Sequence, residues 1–222
     1  MAPDHKPAAT VTIPAGELRT YARDILIQLG AHSAAAAEVA DHLIAADLAG
    51  VRSHGVALLP WYDELISTGQ VHPQATFEVL EDKGAAVSID GHFGLGQVCA
   101  NAAVEMLIDR ARRNGLACAT GKNAGHIGRL GHYTTEFARH GLIGMVVINY
   151  QGADQDVAPF GGREGRLSND PLSIGAPEIL FPGEPEARET ARQLATGVEI
   201  ERVDWDRLVP LGDRLGIAAP AP

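Results

Sequence analysis

The hydrophobic period changes near residue 75, and that change limits the folds open to this 222-residue chain. Before it, apolar residues such as Leu18, Tyr21, Ala22, Ile25 and Leu29 recur at helical spacing. The spacing predicts a helix over 17–29 ended by Gly30. A second is predicted over 34–49, with Ser33 as N-cap and Gly50 as its stop. A third runs from Val56 or Leu59 to Thr68, with Pro60 in its first turn. After the change, 76–80 and 85–90 read as strands around a turn at 81–84. A helix over 97–114, a strand over 116–120, a helix over 134–140 and strands over 143–149 and 171–176 follow. Helices over 186–196 and 205–215 close the chain. Strand–helix–strand alternation implies an α/β layer. The fold class is therefore α/β (α+β), with a helical subdomain and a two-layer α/β subdomain. Residues 8–75 with 184–217 form the first, because Val198, Trp205, Leu208 and Leu211 need an apolar partner. Residues 76–180 form the second.

Gly125-His126-Ile127-Gly128-Arg129-Leu130-Gly131-His132-Tyr133 lies between a predicted strand and a predicted helix. Glycines at such a turn let backbone approach a ligand closely. N–H groups at a helix start favour an anion, and histidine exchanges protons near neutral pH. Two readings stand: an anionic cofactor or substrate beside an acid–base group, or a tight turn whose histidines cap and pack. Gly94-Leu95-Gly96 has two glycines of a dinucleotide fingerprint, but Cys99 occupies the third position. No acidic residue ends the next strand, so a helix-starting turn is the better reading.

Arg52-Ser53-His54-Gly55 falls between two helices, where a hydroxyl beside an imidazole can relay a proton. Its alternative is a helix cap with a loop histidine. His92, His126, His132 and His140 lack the helical pair-plus-acid spacing of a zinc protease, so no metal is expected. The net charge of -10 argues against nucleic acid. No apolar run approaches the roughly 18 residues a membrane span needs. The first seven residues lack an apolar signal core and read as a disordered tail. Cys99 and Cys118 sit in apolar stretches and read as buried thiols of a cytoplasmic protein.

Taken together, these stretches resemble the malate/L-lactate dehydrogenase family, whose fold is not the Rossmann fold. The matching residues are Arg52-Ser53-His54-Gly55-Val56 with Pro60 and Tyr62, Asp90-Gly91 with Gly94 and Gly96, and Gly125 to Tyr133. They continue through Gly141-Leu142-Ile143-Gly144, Val157-Ala158-Pro159-Phe160-Gly161-Gly162-Arg163-Glu164 and Pro171-Leu172. The resemblance implies an NAD- or NADP-dependent oxidoreductase acting on small 2-oxo and 2-hydroxy acids, as a homodimer. It implies Ser53 and His54 as the catalytic pair, with the histidine giving the proton. It implies His126, Ile127, Gly128, Arg129 and Leu130 as the cofactor loop, with Asn169 and Asp170 also near the cofactor.

Three departures accompany the resemblance. Leu58 stands where many members carry the arginine that holds the substrate carboxylate, leaving Arg52 and Arg129 as candidate cations. Asn169-Asp170 replaces the usual Thr-Asn. The chain also passes from Pro177 almost directly to Phe181, without the long segment that supplies further strands and the orienting aspartate. An exposed sheet edge, exposed apolar surface and impaired turnover are the expected consequences. A non-catalytic relative acting as an interaction module is the alternative. A metal hydrolase built on the histidines ranks last.

Overall fold

The computed structural model describes residues 13–149, 158, 160–166 and 170–177, all within one compact unit. The predicted helices beyond 184, and their return to the first subdomain, lie outside the described residues. The class is mixed α/β: helices with two small sheets.

Helices α1 (Ala15–Gln28), α2 (Ser33–Leu48) and α3 (Leu59–Ser67) pack around fully buried Leu26, Val39 and Leu43. Ser33 is the first helical residue rather than the cap; His32 holds the N-cap position, without a side-chain cap bond. The alanine run lets α2 start without one, because alanine loses no rotamer freedom in a helix. At its other end, Gly50 adopts φ +75°. The N–H of Val51 reaches the Ala46 carbonyl and that of Gly50 reaches Asp47, both at 2.9 Å. This left-handed cap turns the chain sharply into the Arg52–Gly55 segment.

Strands β1 (Glu78–Asp82), β2 (Ala86–Gly94) and β3 (Cys118–Ala124) form one sheet, with β1–β2 antiparallel and β2–β3 parallel. Helix α4 (Gly96–Asn114) makes the crossover. Local pattern placed β1 at 76–80. The observed strand sits later because Glu81 and Asp82 pair with Ser88 and Val87, and Arg110 clamps Asp82 through both oxygens at 2.6 and 2.7 Å. β3 runs past Thr120 because Gly121 and Lys122 pair with Ile89 and Asp90; partner geometry overrides their low strand propensity. Near the end of β2, buried Asp90 accepts the His92 N–H at 2.9 Å and an amide N–H of Asn123 at 3.0 Å. His92, Phe93 and Asn123 all take positive φ there. This bulge delivers Gly94 and Gly96 to the Gly125 loop.

Helix α5 (Leu130–Arg139) begins four residues before the predicted start. Leu130, Tyr133 and Phe137 share a face, and the Thr134 and Thr135 hydroxyls bond the Gly131 carbonyl. Strands β4 (Gly144–Val147) and β5 (Leu172–Gly175) pair antiparallel beneath it. Their inner face is close-packed: a Cβ on Gly144 would fall 2.2 Å from Phe137, and one on Gly175 would fall 2.5 Å from the Thr134 carbonyl. Their outer face carries exposed Met145, Val147, Leu172 and Ile174. Cys99 is buried as expected, but Cys118 is exposed, because β3 pairs with β2 on one side and is an edge strand among the described residues. Among those residues no helix is long and apolar enough to cross a membrane.

Candidate active site

Two 3-10 turns, Arg52–His54 and Val56–Leu58, connect α2 to α3. Asp47 of α2 pins them, its carboxylate accepting the Val56 N–H at 2.9 Å. A Cβ on Gly55 would fall 1.9 Å from that carboxylate, so glycine is what lets the turn sit on Asp47. The turn presents Ser53 Oγ 3.0 Å from His54 Nδ1. His54 is half-buried, and burial followed by the charge of Arg129 lowers its pKa. In the tautomer whose Nδ1–H donates to the Ser53 hydroxyl, the neutral ring keeps the Nε2 lone pair for proton exchange.

The two glycine motifs meet backbone to backbone. A Cβ on Gly96 would lie 2.0 Å from the Gly125 carbonyl oxygen, and the Gly125 N–H donates to Gly94 at 3.0 Å. This contact sets His126 against His54, with ring centroids 5.5 Å apart. Behind His126, the Gln97 amide donates to the Tyr62 hydroxyl at 2.6 Å, and that hydroxyl lies 2.9 Å from His126 Nδ1. Burial pushes the Tyr62 phenol up, so it stays protonated. Because Gln97 occupies the phenol oxygen as donor, the phenol proton goes to His126 Nδ1. Burial and His54 push His126 down to about 4. The neutral ring therefore carries its proton on Nε2 and is a hydrogen-bond donor there. An acceptor-capable His54 and a donor-capable His126 thus stand side by side.

The rest of the loop rests on α2. Gly128 has φ +76°, and a Cβ there would fall 2.3 Å from His42 Nε2. That nitrogen accepts the Arg129 N–H at 2.9 Å, so the neutral ring carries its proton on Nδ1, which is buried without a partner. His42 is fully buried and pushed down to about 3 by burial, then by His132 and Arg129. Its ring lies against that of His132, with centroids 4.4 Å apart and planes tilted by 43°. The Ile127 carbonyl accepts the Tyr133 hydroxyl, and Leu130 opens α5.

The structure therefore brings together Ser53, His54, His126 and, through His42, Gly128 and Arg129. Asp170 is exposed just before β5; Asn169 lies outside the described residues. Among the described residues no group of three or more histidine, cysteine or acidic side chains is arranged to hold a metal. His42, Asp47 and Gln97 escaped sequence reasoning. A histidine among the alanines and leucines of α2 was the one available signal for His42. Nothing local marked Asp47 or Gln97.

The sequence profile described as Malate/L-lactate dehydrogenase matches residues 13–178. Hydroxycarboxylate dehydrogenase B of Escherichia coli O157:H7 is 34% identical over 196 residues, covering 87% of this chain and 53% of that protein. L-lactate dehydrogenase of Cupriavidus necator is 35% identical over 159 residues, covering 72% of this chain and 46% of that protein. Malate dehydrogenase from Pyrococcus horikoshii OT3 superposes with a TM-score of 0.70 at 33% identity, covering 77% of this chain and 48% of that structure. The chain spans about half the length of the curated relatives it matches.

Proposed function

This chain belongs to the malate/L-lactate dehydrogenase family, and we propose that it binds NAD or NADP and interconverts small 2-oxo and 2-hydroxy acids. The observation that carries the reading is the pairing of His54, held by Ser53, with His126, held by Tyr62 and Gln97. The bound nicotinamide supplies or accepts the hydride. His54 Nε2 takes the hydroxyl proton during oxidation and returns it to the carbonyl oxygen during reduction. His126, kept neutral, donates a hydrogen bond from Nε2 and polarises that carbonyl. The loop His126–Leu130, together with Asn169 and Asp170, lies toward the cofactor in this reading. Buried polar atoms without partners at His42 Nδ1, Gln97 Oε1 and Arg129 Nε fit a site that accepts a polar ligand. The same reading makes the protein a cytoplasmic homodimer, as the family implies.

Impaired turnover belongs to this proposal. Its support is a cavity of about 260 Å³ walled by Ile89, Leu107, Phe137, Val146 and other apolar residues, beside the exposed outer face of β4–β5. That exposed face is also the observation favouring the second reading, an interaction module without catalysis. Titration with NADH and NADPH, read by fluorescence, separates them. The expected result is weak cofactor binding, with 2-oxo acid reduction below the usual enzyme range of about 1–1000 per second. No binding of either cofactor favours the module. Turnover inside that range shows that the impairment is wrong. In the residual activity, His54→Ala lowers turnover by about 10²–10⁴-fold and leaves cofactor affinity in place. Equal loss of both makes His54 a cofactor contact instead.

A further inference from the structure

Among the described residues, the site has a cation without a carboxylate partner. Arg129 Nε is buried and makes no hydrogen bond, and no carboxylate among the described residues pairs with the guanidinium. The side chain folds back over its own helix start: a Cβ on Gly131 would lie 2.9 Å from Arg129 Nη1. Several other arginines of the fold pair with carboxylates, Arg110 with Asp82, Arg19 with Asp41 and Arg113 with Asp109. A partly buried guanidinium is ordinarily satisfied, because leaving its donors without acceptors costs free energy. Arg129 follows His126 by three residues, and its backbone is fastened to His42. Its backbone is therefore held in the loop that carries His126, and its charge is felt at His54. The lowered pKa values of His54, His132 and His42 all register its charge.

Since those histidines are held toward their neutral forms, Arg129 is a fixed positive charge near His54, His132 and His42. Arg52, the other candidate, opens the first 3-10 turn and is exposed. Leu58, on the second 3-10 turn, offers no donor at all.

We propose that the Arg129 guanidinium, rather than Arg52, receives the substrate's carboxylate through its unpartnered donors, beside the paired imidazoles of His54 and His126. The substrate class is a short 2-oxo or 2-hydroxy acid whose carboxylate adjoins the reacting carbon. A planar fork of donors matches a carboxylate through two parallel hydrogen bonds, and an ammonium cannot reproduce that. The inference rests on the oxidoreductase reading for its substrate class, but not for the anion site itself.

The test uses oxamate, a carboxylate beside an amide carbonyl, titrated calorimetrically into the full chain with and without NADH. Wild type, Arg129→Gln, Arg129→Lys and Arg52→Gln are compared. Arg129→Gln is expected to raise the oxamate Kd by about tenfold or more. Arg129→Lys falls between it and wild type; Arg52→Gln matches wild type. In the Arg129 variants the oxamate Kd rises by a larger factor than the NADH Kd, and Arg52→Gln leaves both in place. Circular dichroism checks each variant's fold, and Arg129→Lys carries the comparison should the glutamine variant not fold. Oxamate affinity unchanged in the Arg129 variants, lost in Arg52→Gln, or undetectable in wild type overturns the assignment. So does a loss confined to NADH, which makes Arg129 a cofactor contact. Oxamate binding through Arg129 without any NADH binding sinks the oxidoreductase reading and leaves the anion site standing.

Discussion

Gly96→Ala is expected to lose about 3 kcal/mol of stability, roughly 6–12 °C in melting temperature for a chain of this size. The added Cβ would lie 2.0 Å from the Gly125 carbonyl oxygen and 2.6 Å from the His126 carbonyl oxygen. Both obstacles are backbone, so no rotamer change relieves them, and one of the two segments must move. Moving the loop withdraws the Gly125 N–H from Gly94 and pulls His126 from the Tyr62 hydroxyl. Cofactor and substrate affinities should fall with stability. Gly121→Ala is the control, since a Cβ there meets nothing within 4 Å and φ is not positive. It should change stability by no more than about 0.5 kcal/mol. Urea unfolding of both variants decides the matter. A Gly96→Ala midpoint equal to that of wild type means the two glycine motifs do not press on each other.

Gly96 also shows where sequence reading stops. Gly94-Leu95-Gly96 is legible as a turn that starts a helix, because its position between a strand and an amphipathic run is local information. That it meets Gly125 depends on the β2–β3 register, which the Asp90 bulge sets with Asn123, 33 positions away. The helices were legible for the same reason the turn was: apolar spacing in α1, α3 and α4 is written within each segment. The start of α5 was not, because glycines and histidines concealed a helix nucleated by Leu130, Tyr133 and Phe137. The site divides likewise. Ser53 and His54 announce themselves as neighbours, whereas Asp47, Gln97 and His42 act across 9, 35 and 87 positions on Val56, Tyr62 and Arg129. No periodicity encodes such partners.

Acid should unfold this protein earlier than its carboxylates alone would. His42 is pushed down to about 3 by burial and the nearby charges of His132, Arg129, His126 and His54. His126 is pushed down to about 4 by burial and His54. In the unfolded chain both titrate near 6.5. Above that value neither state holds the proton, and the stability due to the neutral rings is fully present. As pH falls from about 6.5 toward 4, the unfolded chain takes up protons that the folded chain refuses, so stability is lost. Each such group contributes about 1.4 kcal/mol per pH unit, and the pair about 2–3 kcal/mol per unit. His54 and His132, also lowered, act with the same sign. Glu38 acts against them, since burial raises its pKa and the folded state gains a proton there first. The lowered carboxyls of Asp82, Asp90 and Glu136 act with the same sign as the histidines, and their share is lost chiefly at the acid end of this range and below it. His42→Gln isolates the largest contribution, because a glutamine carbonyl can still accept the Arg129 N–H but cannot titrate. Urea unfolding between pH 7 and 4.5 should show a steep loss of stability in wild type and a slope shallower by about one proton in the variant. A flat wild-type profile, or the same slope in both proteins, means that His42 is not held neutral beneath the loop, and the account of how α2 fixes Gly128 and Arg129 fails with it.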